Sequence, residues 1–156
     1  MVKSDMIGNT DSIWRHTTGA SGETLDALCN VEVEAVGTKK AFSTDGSVST
    51  SLLWLRRALG FIEAIMKALI QKPVKSMKAC CHDAYQTSLA RYHNVLMKSA
   101  FKVAVNAAPN RVDFLRTLAP TSTTEAALDT LGRLLPSFSK LLSAVDHLLR
   151  AQGIQK

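Results

Sequence analysis

The sequence has few cysteines and no long hydrophobic run. Among its 156 residues only three are cysteines, Cys29 and the adjacent Cys80 and Cys81, and their spacing fits neither a disulfide framework nor a metal site. Glu63 and Lys67 interrupt the longest apolar stretch, ALGFIEAIMKALI, so the stretch is too short to span a bilayer. These features predict a protein of a reducing compartment that binds no metal or cofactor and does not cross a membrane.

The beginning of the chain lacks the apolar core of a secretory signal, because Lys3, Asp5, Asn9 and Asp11 fall there. We therefore expect a cytoplasmic protein. Nineteen basic and 13 acidic side chains leave a net charge of +6, which favours an anionic partner such as a membrane surface. Nucleic acid is not expected as a partner, because no basic stripe with interleaved aromatic residues occurs.

Helical periodicity dominates the chain, and no segment shows the period of two that is typical of strands. The sequence therefore predicts an all-α protein, and its length predicts a single domain over residues 1–156. The predicted helices cover residues 1–17, 23–36, 51–70, 76–108, 110–119 and the segment after residue 122. A turn is predicted at residues 19–23 and a polar linker at 37–50. Ser122 and Glu125 resemble a capping box for the last helix, which Pro136 should kink or split.

The first helix places a carboxylate beside an amide at the edge of an apolar stripe. Asp5 and Asn9 are four residues apart, so they project from the same side of a helix. The stripe itself consists of Val2, Met6 and Ile13. From these residues alone, a solvated helix flank is the favoured interpretation.

A tryptophan and a histidine lie on the apolar faces of the two longer helices. Trp54 shares its face with Ala58, Phe61 and Ile65, and the opposite side carries Arg56, Gly60, Glu63 and Lys67. His93 is central in a face made by Leu89, Leu96, Met97, Ala100, Phe101, Ala104 and Ala107. Ordinary packing explains such a tryptophan, and one hydrogen bond satisfies such a histidine. Taken with Asp5 and Asn9, however, they suit a ligand that is polar at one end and apolar at the other.

No motif for catalysis accompanies these residues. The sequence contains no glycine-rich phosphate loop and no paired carboxylates within one motif. It also contains no Ser, His and Asp residues whose spacing suggests a catalytic triad. We therefore expect a binding protein and not an enzyme.

Four segments in order, VKSDMIGN, LLWLRRALGFI, YQTSLARYH and FKVAVNAAPNRVDFL, resemble the glycolipid transfer protein superfamily over about residues 2–118. The resemblance implies a two-layer helical fold with an apolar lipid pocket between the layers, and non-enzymatic transfer of sphingolipids between membranes. By position, the family's sugar-binding Asp, Asn and Trp fall on Asp5, Asn9 and Trp54. Its histidine for the ceramide amide falls on His93, and its Asp also takes the amide N–H.

The apolar stripes of the two longer helices are the candidate lining of that pocket. They contribute Phe61, Ile65, Leu96, Phe101 and Ala104. Each of these side chains is equally well explained as ordinary core, and only their number on two helices favours a pocket.

The resemblance also favours a sugar headgroup over a phosphate. Family members that carry phosphorylated ceramide have basic residues at the positions of Asn9, Trp54 and Ala58, and a phosphate needs fixed cations. Arg15 and Arg57 are expected to lie off the recognition face. We therefore expect a glycosphingolipid ligand of the glucosyl- or galactosylceramide type. The alternatives are a phosphorylated-ceramide carrier and a helical lipid-sensing or protein-interaction module without transfer.

The resemblance implies transient contact with cytosolic membrane faces. Surface basic residues and Trp14, which lies away from the stripe of the first helix, are the candidates for that contact. Family members usually carry some tens of residues before the helix that bears the Asp, so we expect a chain that lacks the usual N-terminal segment.

Overall fold

The computed structural model describes residues 2–17 and 23–154. Over these ranges the chain forms α-helices and one 3₁₀ turn, Ala90–Tyr92, and no strand, which confirms the all-α prediction. The helices are α1 (Val2–Arg15), α2 (Leu25–Val36), α3 (Thr38–Ala41), α4 (Val48–Gln71), α5 (Met77–Ser88), α6 (Val95–Asn106), α7 (Arg111–Leu118) and α8 (Thr124–Ala151). The turn predicted at 19–23 lies outside the described residues except for Glu23.

The chain divides into two compact units. The first unit comprises Met1–Ala58 and Leu142–Lys156, and the second comprises Leu59–Leu141. The first unit has an apolar core of Ile13, Cys29, Val48, Leu52 and Leu149, with partly buried side chains packed around it. Burial raises the pKa of the Cys29 thiol, so this side chain behaves as a small apolar group.

Side chains from other helices cap both ends of α4. At its beginning the Glu32 carboxylate of α2 accepts the N–H groups of Val48 and Ser49, each at 2.8 Å. At its end the Arg111 guanidinium of α7 donates to the carbonyl of Leu69. Backbone N–H and C=O groups at helix ends have no partner within the helix. These caps bind them, and the negative charge at the beginning and the positive charge at the end interact favourably with the helix dipole.

The side of α4 that was expected to be polar is not a solvated face. In the first unit Arg56 makes a two-point contact with Asp146 of α8, Nε to Oδ1 at 2.8 Å and Nη2 to Oδ2 at 2.7 Å. The two side chains are only 12% and 8% exposed. In the second unit Glu63 accepts hydrogen bonds from Lys67 and from Ser139 of α8. Arg56 and Glu63 are thus bound by side chains of α8, whereas Lys67 is 44% exposed and pairs within α4.

The single helix predicted over residues 76–108 is wrong. The structure has α5, the 3₁₀ turn and α6 in its place, and His93 between them is extended, with φ −93° and ψ 135°. Asn94 caps α6 by accepting the N–H of Met97 at 2.9 Å. The break resets the phase of the helical face, so Phe101 is buried but Leu96 is 76% exposed.

Three further details differ from the sequence expectations. The linker predicted at 37–50 contains the one-turn helix α3. Thr123 and not Ser122 caps α8, because its hydroxyl accepts the N–H of Ala126 at 3.2 Å. Pro136 lies inside α8 without splitting it, whereas the expected short helix after Asn110 and the end of α4 before Pro73 are confirmed.

The Arg56–Asp146 pair yields a test of stability. Asp146→Ala leaves the Arg56 charge buried without its partner, so we expect the free energy of unfolding to fall by about 3 kcal/mol. Asp129→Ala is the matched control on the same helix, because its pair with Arg133 is exposed and contributes less than about 1 kcal/mol. Urea unfolding followed by circular dichroism measures both, and equal losses would contradict the structural role of the pair.

Candidate functional site

Asp5 and Asn9 lie side by side on α1 in the first unit. The side-chain amide of Asn9 donates to the backbone carbonyl of Asp5 at 2.9 Å. Asp5 is exposed and Asn9 is half-buried. This hydrogen bond uses one of the two N–H hydrogens of the Asn9 amide and fixes the orientation of the amide. The second hydrogen is a donor and the amide oxygen is an acceptor. The structure thus places Asp5 and Asn9 one helical turn apart on α1, as the sequence analysis expected, and the amide is bound to the main chain of Asp5 and not to its carboxylate.

Trp54, also in the first unit, has a cation against its ring. The Arg57 guanidinium carbon lies 4.7 Å from the centre of the Trp54 ring, which is a cation–π distance. Both side chains are half-buried in α4. The sequence analysis placed Arg57 off the recognition face and did not anticipate this contact, although residues three apart are neighbours on a helix. A fixed positive charge therefore stands beside one of the predicted headgroup residues.

His93 lies in the second unit and is held by a tyrosine. The Tyr85 hydroxyl and His93 Nδ1 are 3.1 Å apart, and the two ring centres are 5.6 Å apart. Tyr85 is only 6% exposed. Burial raises the pKa of its hydroxyl above the ordinary value, so at neutral pH the hydroxyl keeps its proton and can donate it to a ring nitrogen.

Two phenylalanines complete an aromatic cluster, defined here as Phe61, Tyr85, His93 and Phe101. The Tyr85 and Phe101 rings are stacked at 4.1 Å and 12°. Phe61 meets Phe101 edge to face, with the centres 5.3 Å apart and the planes at 87°. Such pairs stabilise a fold beyond their buried area. The position of His93 is therefore set by a packed cluster on α4, α5 and α6.

Tyr85 is a residue that the sequence analysis missed. It stands within the segment YQTSLARYH, eight residues before His93. A tyrosine on a buried helix face needs a partner for its hydroxyl, and a nearby histidine is a natural one. That requirement is the signal that could have identified it, but the assumed continuous helix concealed the pairing.

The five candidates for a pocket lining have different environments. Phe61 and Phe101 are buried against each other, and Ile65 is half-buried. Leu96 and Ala104 are exposed, so interpreting these two as ordinary core is wrong. Their assignment to a lipid pocket stays a prediction.

The polar chemistry at these residues consists of hydrogen-bonding groups and aromatic faces. Within residues 2–17 and 23–154, no three His, Cys, Asp or Glu side chains are placed to hold a metal ion. No helix in the same ranges is long and apolar enough to cross a membrane.

Solved structures share this fold. A structure described as showing how FAPP2 selects simple glycosphingolipids using the GLTP fold matches with a TM-score of 0.82 at 25% identity, over 99% of this chain and 75% of that one. Human ceramide-1-phosphate transfer protein in complex with ceramide-1-phosphate matches with a TM-score of 0.81 at 23% identity, over 96% and 74%. The fold is therefore the GLTP fold, as the resemblance implied.

Sequence comparison gives the family. The family model described as glycolipid transfer protein matches residues 1–120, and the chain belongs to that family. Glycolipid transfer protein 1 of Arabidopsis thaliana is 28% identical over 131 residues, 83% of this chain and 63% of the relative. A glycolipid transfer protein of Aureobasidium melanogenum is 33% identical over 115 residues, 72% and 53%. The chain thus spans between 53% and 63% of the length of these relatives.

The similar proteins are named for two different headgroups. The chain is similar in sequence to a glycolipid transfer protein and shares its fold with a ceramide-1-phosphate transfer protein. The comparisons therefore give the family and the fold, and they do not distinguish a sugar headgroup from a phosphate.

The Tyr85–His93 contact yields a test that needs no ligand. Tyr85→Phe keeps the stacked ring and removes the hydroxyl, so we expect a stability loss of about 1 kcal/mol. We also expect the proton of the His93 ring to redistribute between Nδ1 and Nε2. Histidine ring ¹⁵N shifts measure this, with the exposed His147 of α8 as internal control. Unchanged His93 shifts would show that the hydroxyl does not fix the ring proton.

Proposed function

We propose that this protein carries glycosphingolipids of the glucosyl- or galactosylceramide type between membranes, without chemistry on the lipid. Membership of the family supports the carrier role. One observation carries the headgroup choice: an uncharged amide, Asn9, and an indole, Trp54, stand where phosphate-binding members of the family have cations. Asp5, exposed beside Asn9, would also repel a phosphate and suits hydroxyl groups.

The roles of the polar residues follow from their hydrogen-bonding capacity. We assign the sugar hydroxyls to the Asp5 carboxylate and the Asn9 amide, and the apolar face of the sugar ring to Trp54. Asp5 also accepts the ceramide N–H. If Tyr85 donates to Nδ1 of His93, the ring proton resides on Nε2, which then donates to the ceramide carbonyl. A neutral histidine held in this form reads the amide without needing a charge.

The acyl chains set the largest energetic requirement. Exposing a ceramide with roughly 30 methylenes to water costs on the order of 25 kcal/mol, at about 0.8 kcal/mol for each CH₂. A carrier must therefore cover both chains with apolar atoms. We propose Phe61, Ile65, Leu96, Phe101 and Ala104 as the lining, and entry of a chain requires the Phe61 and Phe101 rings to separate. The lipid moves down its own gradient, so no covalent step or energy source is needed.

Arg57 favours a second candidate function, transfer of phosphorylated ceramide. Its guanidinium lies against the ring of Trp54, a predicted headgroup residue, and guanidinium groups bind phosphate with two parallel hydrogen bonds. This candidate needs Arg57 to leave or share the indole face. It ranks second because Asn9 and Ala58 supply no further cation.

We also propose that Trp14 contacts the cytosolic face of membranes. Trp14 is 76% exposed near the end of α1, and the neighbouring Arg15 is exposed as well. An indole is favoured at the level of the lipid headgroups, and a basic side chain is attracted to anionic lipids. The net charge of +6 acts in the same direction.

Vesicle-to-vesicle transfer of labelled lipids tests the carrier function. For galactosylceramide, we expect Asp5→Val, Asn9→Ala and Trp54→Ala each to lower the transfer rate by about tenfold or more, because each removes a headgroup contact. Thr10→Ala is the matched control: like Asn9 it bonds the carbonyl four residues before it on α1, and its loss should change transfer by less than about twofold. Failure of folded wild-type protein to transfer any sphingolipid would instead favour the sensing or interaction module.

The same assay with ceramide-1-phosphate separates the two carrier functions. We expect wild-type protein to transfer it poorly and Arg57→Gln to retain most galactosylceramide transfer. Efficient transfer of ceramide-1-phosphate that is lost in Arg57→Gln would establish the phosphate ligand and exclude the glycolipid assignment.

Membrane contact is tested by sedimentation with vesicles containing phosphatidylserine. Trp14→Ala should weaken binding by about tenfold, since it removes the exposed indole. Val74→Ala is the control, because Val74 is 99% exposed but lies outside α1. Binding should also weaken as salt rises. A vesicle affinity that changes neither with Trp14→Ala, nor with salt, nor with the content of anionic lipid would contradict this contact.

A further inference from the structure

A cleft of about 740 Å³ lies between α5 and α6 in the second unit. The buried part of its lining is apolar and includes Tyr85, Phe101 and Val105. The exposed part contains three lysines, Lys78, Lys98 and Lys102, together with His82 and the uncharged Ser76, Gln86 and Asn106. The volume is in the range of small-molecule sites, which combine an apolar surface with a few polar groups.

The basic side chains form two pairs, one on each helix. Lys78 and His82 are four residues apart on α5, and Lys98 and Lys102 are four residues apart on α6. Lys98 and Lys102 carry like charges, and like charges at this spacing destabilise a helix. In the described part of the chain none of the three lysines has a carboxylate within 4.0 Å, and α6 itself contains no acidic residue.

The acidic residue of this lining does not neutralise the cleft. Asp83 is bound by Lys75, and its second oxygen lies 3.6 Å from His82 Nδ1. The hydrogen bond from Lys75 is the main cause that lowers the pKa of Asp83, so its charge is matched by a lysine outside the cleft lining. The cleft therefore keeps an excess of positive charge beside an aromatic surface, a combination that suits an anion whose apolar or planar body can pack on the rings.

We propose that the α5–α6 cleft takes a phosphate monoester, which is bound by lysines that have no role in the proposed glycolipid site, while its apolar wall shares Tyr85 and Phe101 with the residues around His93. Lys98, Lys102 and Lys78 bind the phosphate, and the organic part lies over Tyr85 and Phe101. The same chemistry is offered by a phosphorylated lipid headgroup at a membrane surface and by a soluble phosphate ester.

Two probes distinguish these sources with the full chain. Phenyl phosphate represents a soluble ester, and phosphatidylcholine vesicles with phosphatidylinositol 4-phosphate represent a lipid headgroup. NMR titration follows the Tyr85 and Phe101 ring signals for the first, and sedimentation measures binding for the second. We expect Lys98→Gln/Lys102→Gln to weaken binding of at least one probe by about tenfold. The probe whose binding depends on these lysines identifies the source.

The control variant is Lys39→Gln/Lys40→Gln on α3, which removes the same charge from exposed positions outside the cleft. It should weaken binding by less than about twofold. Lys98→Arg/Lys102→Arg keeps the charge and should retain binding, which separates a lost contact from lost folding. Equal weakening in both Gln variants, or no dependence of either probe on Lys98 and Lys102, would overturn the proposal.

Discussion

The two-point ion pair between Arg56 and Asp146 is the interaction on which the first unit depends. Separating the two buried charges would cost a large free energy, because each would remain buried without its partner. The pair therefore fixes the rotation of α4 about its axis. Trp54, two residues earlier, is then turned by about 200° from Arg56. Arg57 falls beside Trp54 for the same geometric reason. The ion pair thus sets the direction in which Trp54 and Arg57, neighbours on one face of α4, point within the first unit.

In the second unit a break in the backbone has the corresponding effect. Asn94 begins α6 and leaves His93 in an extended conformation, so the imidazole is placed by the chain and by Tyr85 instead of by a helix face. The aromatic cluster then restrains its ring. Because Tyr85 also lines the basic cleft, one side chain contacts both the histidine proposed to bind the ceramide amide and the surface proposed for a phosphate ester.

The sequence predicted those parts of the fold that are determined by residues close to one another along the chain. Helical periodicity, the stop at Pro73 and the short helix after Asn110 depend on neighbouring residues, and all three are confirmed. The burial of Arg56 was not predictable, because its partner lies 90 residues away. The break before α6 contains no glycine or proline, so only Asn94 signalled it. Of the candidate site, the neighbouring positions of Asp5 and Asn9 and of Trp54 and Arg57 follow from helical spacing, whereas the pairing of Tyr85 with His93 depends on the break before α6.

The caps of α4 link the formation of this helix to the rest of the chain. The Ser47 hydroxyl, which accepts the N–H of Thr50, is a cap from an adjacent residue. Glu32 and Arg111, which bind Val48, Ser49 and Leu69, lie 16 residues before the helix begins and 40 after it ends. Pro73 determines where the helix ends, but the helix gains its full stability only when α2 and α7 are in place. That dependence makes unfolding cooperative: fraying at either end of α4 requires the loss of a contact with another helix.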